Sequence, residues 1–338
     1  MIYGERIKQA REICGLTQTH LAQRIGVRQP AIAQYEAEQI TPSRDTLEAI
    51  AKETGFLPSF FEQEPIDDFP LGSLCFRARN SLSKQQREQA YQCAKTMFEL
   101  VLKVTSILRL PRPQLPIIQE RPATAARVVR TAFGLSPDTP IRNLTRTLEK
   151  SGVIVITLPL FIPKLDAFST WAKQKTESPI IALISGNPSD RIRFSLAHEL
   201  AHLVIHQPAR GQLKKIEKEA NEFAAEFLLP EDAMRNELLP PITLSRLAKL
   251  KLKWGASMSF LIYRAKQLDI ISERQKTYLY EQMSIRGWRK REPDNLDVQP
   301  EIPVAYRKII ELAYENLEQY ATDMHFTPKR AQEFLLFS

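Results

Sequence analysis

Cysteine is nearly missing from this chain. The three present among 338 residues, Cys14, Cys75 and Cys93, are too far apart for a zinc-finger or dithiol spacing. No disulfide scaffold can be built from so few, and the scarcity points to a reducing, cytoplasmic compartment. Glycine is scarce as well, at 11 residues, which argues against a phosphate-cradling Gly-rich loop or an all-β repeat. Long apolar runs are absent. The longest, 153–162, is ten residues and is interrupted by Pro159, about half of what a membrane span needs. The chain starts with Glu5, Arg6 and Lys8 and no apolar stretch behind them, so no secretory leader and no membrane partner are expected.

Charge is plentiful and unevenly spread. The formal net charge is +8. Residues 77–150 hold fourteen Lys and Arg against five Asp and Glu, and residues 242–291 hold twelve against three. The segment between them is nearly neutral, and 292–338 is acidic. Basic blocks suit phosphate backbones or acidic protein partners. The expectation is that they line the approach to a central site, with Lys249, Lys251 and Lys253 among the residues involved.

Periodicity predicts helices at both ends and a small sheet between them. Short helical patterns fill 2–61, with stops at Gly15 and Gly26 and caps at Thr17 and Ser43. A long helix over about 82–109, capped at Ser81, carries the stripe Ala90, Ala94, Met97, Val101, Val104 and Leu108. Such a stripe is either a dimer seam or a face docked on a neighbouring domain. Strands are expected at 153–157, 167–171 and 180–184, and helices resume from 189. The fold class is therefore mainly α with a small central β-sheet (α+β). Five regions follow: a helix-turn-helix at 1–61, a linker and long helix at 62–122, a central domain at 123–239, a basic helical subdomain at 240–293 and an acidic helical tail at 294–338.

Two constellations carry chemistry. In the first, the helices on either side of Gly26 have the spacing of a helix-turn-helix. Arg28, Gln29, Ala33 and Gln34 lie on the outer face of the second helix, with Thr17 and Gln18 at the start of the first. Gln pairs bidentately with adenine, while Arg28 and Thr17 suit phosphate. Arg6–Ile7–Lys8, Gly15–Leu16–Thr17–Gln18, Leu21–Ala22, Gly26–Val27, Tyr35–Glu36 and Thr41–Pro42–Ser43 together resemble the XRE (Cro/C1-type) DNA-binding domain. That resemblance implies double-stranded DNA as a partner, and two-fold operators imply a homodimer. Glu38 stands where that pattern usually has Gly, Pro30 sits inside the reading surface, and residues 1–61 hold seven charges of each sign.

The second constellation is His198–Glu199–Leu200–Ala201–His202, an H-E-x-x-H run in a helical pattern. Residues four apart stack on one helix face, so both histidines can reach one ion and Glu199 can take a proton from water. The next helix offers a third ligand. Glu217 and Asn221 share a face, as do the ligand carboxylate and the side chain supporting a ligand histidine in thermolysin-like enzymes. Glu219 is the alternative. His206, one turn beyond His202, and Arg193, just ahead of the motif, are candidates for supporting a ligand or holding substrate.

The runs from Arg193 to His202, from Glu217 to Ala225 and from Leu228 to Pro230 look like the ImmA/IrrE metallopeptidases. Upstream, Asp166–Ala167–Phe168–Ser169 is similar to that family's strand pair. Downstream, Gly287–Trp288–Arg289-x-Arg291–Glu292–Pro293 is similar to its members with an XRE domain. This resemblance implies zinc, with manganese as an alternative that N/O ligands accept. It also implies an endopeptidase acting on a partner repressor of the XRE type, in stress response or mobile-element control. The other function class is a non-proteolytic regulator or antitoxin that uses the same fold as a sensor or scaffold.

Overall fold

Four short helices open the chain: α1 (Gly4–Ile13), α2 (Gln18–Ile25), α3 (Gln29–Glu36) and α4 (Arg44–Thr54). Thr17 and Ser43 cap α2 and α4 by accepting from His20 N and Thr46 N. Pro30 falls in the first turn of α3, where its missing N–H has no intrahelical partner to lose. Glu38 adopts φ 57°, the conformation for which the XRE pattern favours glycine. Its carboxylate accepts from Gly4 N at 2.9 Å. At Gly4 a Cβ would lie 2.5 Å from Tyr35 O, so no other residue fits there.

The structure, a computed structural model, describes residues 1–66, 82–108, 110–158, 160, 165–172, 178–206 and 212–336. The long helix α5 (Lys84–Ile107) begins at Ser83, whose side chain and that of Gln86 form a reciprocal cap. The expected cap, Ser81, lies outside the described residues. Ala90, Ala94, Met97, Val101 and Val104 are all buried within the chain, so this stripe is a docked face rather than a dimer seam. Polar bonds add to the docking of α1 on α5. Arg6 reaches Glu99 at 2.7 Å, Gln9 reaches Thr96 at 2.9 Å and Lys95 reaches Glu5 at 2.6 Å.

After α6 (Pro122–Ala132) and α7 (Leu144–Lys150) come β1 (Ile154–Leu158), β2 (Ala167–Ala172) and β3 (Ser178–Ile184). The order is β1-β3-β2, with β1 parallel and β2 antiparallel to β3. Side chains alternate between two cores. Ile154, Ile156, Phe168, Ile180 and Ala182 join the core that holds α1, α4 and α5. Val155, Ala167, Ile181 and Leu183 join a second core with α8 (Ser189–Ile205) and α9 (Leu213–Leu228). Behind these lie α10 (Glu231–Glu237), α11 (Leu244–Trp254), α12 (Met258–Gln267) and α13 (Glu273–Ile285). The fold is thus mainly α with a small three-stranded sheet. No helix among the described residues is long and apolar enough to cross a membrane.

One expectation needs correction. Lys251 is no docking lysine. It is buried between Asp190 and Glu292, and Lys253 pairs with Glu237. A count of charges does not distinguish a solvated lysine from one enclosed by carboxylates. The acidic C-terminal segment is helical. Its helices α14 (Ala305–Ala313), α15 (Leu317–Asp323) and α16 (Pro328–Leu336) fold back on the first domain. Leu57 N donates to His325 O at 2.8 Å, Thr327 N to Gly55 O at 3.0 Å and Arg330 to Thr54 O at 2.6 Å. Phe326 meets Phe56 edge-on at 5.2 Å and stacks on Phe334 at 5.4 Å.

Phe326→Ala is expected to cost about 3–5 kcal/mol, the usual penalty for emptying a buried aromatic position. Hydrogen exchange should report the loss in residues 44–61 as well as 305–336. Protection unchanged in 44–61 would mean that the two segments do not share a core.

Candidate metal centre and reader helix

The metal centre is built from α8 and α9. Leu196, Leu200, Leu203 and Val204 hold α8 in the second core, and Ala220, Phe223, Ala224 and Phe227 do the same for α9. The polar faces of the two helices then meet. His198 Nε2 and His202 Nε2 are 3.0 Å apart, and Glu217 lies 3.4 Å from each. Among the described residues these three form a group able to hold a cation. Tetrahedral zinc ligands about 2.0–2.1 Å from the ion stand about 3.3–3.4 Å from one another, a spacing that both Glu217 distances match and that the histidine pair undercuts by a few tenths of an ångström. His198 is almost fully buried, whereas Glu217 is 27% exposed, which leaves one side of the group open.

Each histidine has a partner behind it. His198 Nδ1 lies 2.9 Å from Asn221 Oδ1. His202 Nδ1 lies 3.0 Å from His206 Nδ1, and His206 Nε2 lies 3.1 Å from Glu219. Such partners fix ring orientation and tautomer. Burial lowers the pKa of His206, and neighbouring His202 adds to this, while Glu219 opposes it. Glu219 thus supports His206 and is not among the three grouped side chains.

Glu199 is fully buried beside the histidines, and Ser169 Oγ donates to its Oε2 at 2.8 Å. The alternation of β2 turns Ala167, Ser169 and Trp171 toward α8, and Trp171 Nε1 donates to Leu203 O at 3.3 Å. Sequence reasoning gave Ser169 no role. The signal available was the two-residue period of 167–171, read together with the family-like Asp166–Ser169 run.

Arg193 does not join the site. Its guanidinium is buried, pairs with Glu301 and donates to Ile141 O at 2.8 Å. Arg193 is five residues from His198, and at about 100° per residue it points well away from the histidine face. Arg191 pairs with Asp166 at 2.9 Å.

The reader helix α3 presents Arg28 and Gln34 exposed, with Gln29 and Ala33 half-buried. Gln29 donates to Gln18 Oε1 at 2.9 Å, and Gln18 donates to Glu36 Oε2 at 2.7 Å. Arg11 clamps Glu36 from below at 2.5 and 3.1 Å. This relay holds both glutamines in one orientation. Thr17 Oγ1 is engaged by His20 N at 3.1 Å.

The fold and the donor set together define a metallopeptidase-like domain joined to a DNA-reading one. Comparison with known families agrees. Residues 148–266 match the peptidase family described as IrrE N-terminal-like domain, and residues 7–61 match helix-turn-helix. No curated protein matches the chain. The architecture is an N-terminal XRE-type helix-turn-helix fused to an ImmA/IrrE-like peptidase domain.

His202→Ala and Glu217→Gln should each abolish stoichiometric zinc binding in a metal-buffered titration. Asn221→Ala and Glu219→Gln should keep one site but weaken it about 10–100-fold, as removing a ligand's partner does elsewhere. Loss of the site in Glu219→Gln with retention in Glu217→Gln would reverse the ligand assignment.

Proposed function

We propose that the chain is a DNA-binding regulator with a zinc-dependent endopeptidase centre, acting in the cytoplasm on a partner repressor of the XRE type. The observation that carries this reading is the grouping of His198, His202 and Glu217 beside the buried, Ser169-held carboxylate of Glu199. His198, His202 and Glu217 would hold a divalent cation, which would supply Lewis-acid chemistry toward the scissile carbonyl and a neighbouring water. Glu199 receives a proton on its carboxylate and passes it on to the leaving amine. Ser169 keeps that carboxylate aligned. Asn221 and His206 hold the two imidazoles. The open side at Glu217 admits an extended peptide.

The helix-turn-helix brings this centre to operator DNA, with Gln29 and Gln34 toward base edges and Arg28 toward phosphate. The neutral charge of residues 1–61 keeps the phosphate contribution small, so affinity should be modest for a single reader and should benefit from a homodimer.

Glu199→Gln removes the proton acceptor and leaves the three ligands. Zinc and DNA binding should persist while repressor cleavage falls by a factor of about 10² or more. Equal regulation in cells by this variant and the wild type would favour the scaffold reading. Gln29→Ala should cost about 1–3 kcal/mol at one base position, and Arg28→Ala should weaken all sequences alike. Gel-shift titrations across operator variants measure both.

A further inference from the structure

The segment after α13 is cationic, exposed and firmly held. Residues 286–291 read Arg-Gly-Trp-Arg-Lys-Arg. Gly287, at φ 73°, turns the chain, and Trp288 N donates to Met283 O at 2.8 Å. Arg286 stands 5.8 Å over the Trp288 ring. Arg289 stands 4.1 Å over the Tyr280 ring and donates to Ser259 Oγ at 3.3 Å. Behind them Glu292 accepts from Met258 N and pairs with Lys251, each at 2.9 Å. Lys251 in turn pairs with Asp190 in the first turn of α8. A buried lysine between two carboxylates is a costly way to gain stability but an effective way to fix register. Here it fastens an exposed basic loop to the start of α12 and to the helix that carries the histidines.

An aromatic path runs from this loop to the metal centre. Ser259, which holds Arg289, is followed by Phe260. The Phe260 ring lies 4.9 Å from Phe194, and Phe194, one turn before His198, lies 6.1 Å from its ring. Both phenylalanines are half-buried.

We infer that this strip is the substrate-docking surface and that it selects a peptide of definite chemistry. An apolar side chain next to the scissile bond packs on Phe194 and Phe260. Acidic residues a few positions along the same extended segment meet Arg289 and Lys290. Stacked guanidinium groups with one hydrogen bond already made are ordered before the ligand arrives, which reduces the entropy lost on binding. A protein segment fits better than DNA, because Trp288 of the loop packs on the second core, whereas Tyr35 of the reader helix packs on the core across the sheet. The inference rests on the peptidase reading of the site.

The test uses full-length Glu199→Gln protein loaded with zinc. Fluorescence anisotropy is followed for three labelled probes: a peptide with a central Phe and a distal Asp/Glu cluster, its Asn/Gln counterpart, and a short DNA duplex of random sequence. The acidic peptide should bind about tenfold tighter than its counterpart and lose that advantage as salt rises. Arg289→Glu with Lys290→Glu should abolish the difference, whereas Arg289→Lys should retain part of it. Phe260→Ala should weaken both peptides alike. Equal binding of the two peptides, or none, overturns the inference, as does a charge reversal that affects only the duplex. Charge-dependent binding by a chain whose wild-type form cuts neither peptide would leave the docking surface standing and remove the peptidase reading.

Discussion

A three-stranded sheet with two apolar faces needs two covers, and the rest of this molecule is arranged around that need. β3 is buried along its whole length. Its even-numbered residues 180, 182 and 184 lie in the core formed with α5, the reader domain and the C-terminal helices. Its odd-numbered residues 181 and 183 lie in the core formed with the histidine-bearing helices. One strand thus serves two cores with a period of two. A one-residue slip of β2 against β3 would exchange Phe168 and Ser169 between faces, leaving a hydroxyl in the apolar core and Glu199 without its donor.

Helix positions and the histidine pair were legible because they depend on local rules. Glycine stops, capping hydroxyls and a four-residue spacing act within a few residues of chain. What escaped sequence reading depends on long-range closure. The return of the C-terminal helices joins Phe326 to Phe56 across most of the chain, and no periodicity encodes that pairing. Arg193 resembled a substrate group only because it sits next to the motif; its helical phase sends it to Glu301. Glu217 was preferred to Glu219 because its spacing from Asn221 is similar to that of the ligand carboxylate and its supporting neighbour in thermolysin-like enzymes. The relay from His202 through His206 to Glu219 also needed the relative height of two helices.

Charge provides the clearest contrast between composition and structure. The basic block 242–291 suggested a continuous electrostatic face, yet much of it is spent internally. Arg264 joins buried Glu226 and Leu229 O, and Lys251 is enclosed by Asp190 and Glu292. Buried pairs of this kind add little net stability, but removing one partner leaves an uncompensated charge and costs about 3–5 kcal/mol. Their effect here is positional: they register α9 against α12, and α8 against the segment after α13. Arg286, Arg289 and Lys290 form no ion pair among the described residues, and their charge remains available at the surface.

The reader and the metal centre are therefore not linked like two beads on a flexible string. α1 meets α5 through an apolar face, Ile7 and Ala10 against the Ala94 and Met97 stripe, to which Arg6, Gln9 and Lys95 add polar bonds. The aromatic group of Phe56, Phe60 and Phe326 adds an apolar clamp. That clamp and the sheet share one core, and Phe168 is the β2 residue within it. The next residue along the strand, Ser169, points to the other face and holds the Glu199 carboxylate. One peptide bond thus separates a side chain packed in the reader-side core from the one that donates to Glu199. Interiors at crystal-like density transmit displacement instead of absorbing it. Repacking around Phe168 would therefore reach Glu199 through the rigid pleat of β2 while His198 and His202, anchored by the apolar residues of α8, kept their places.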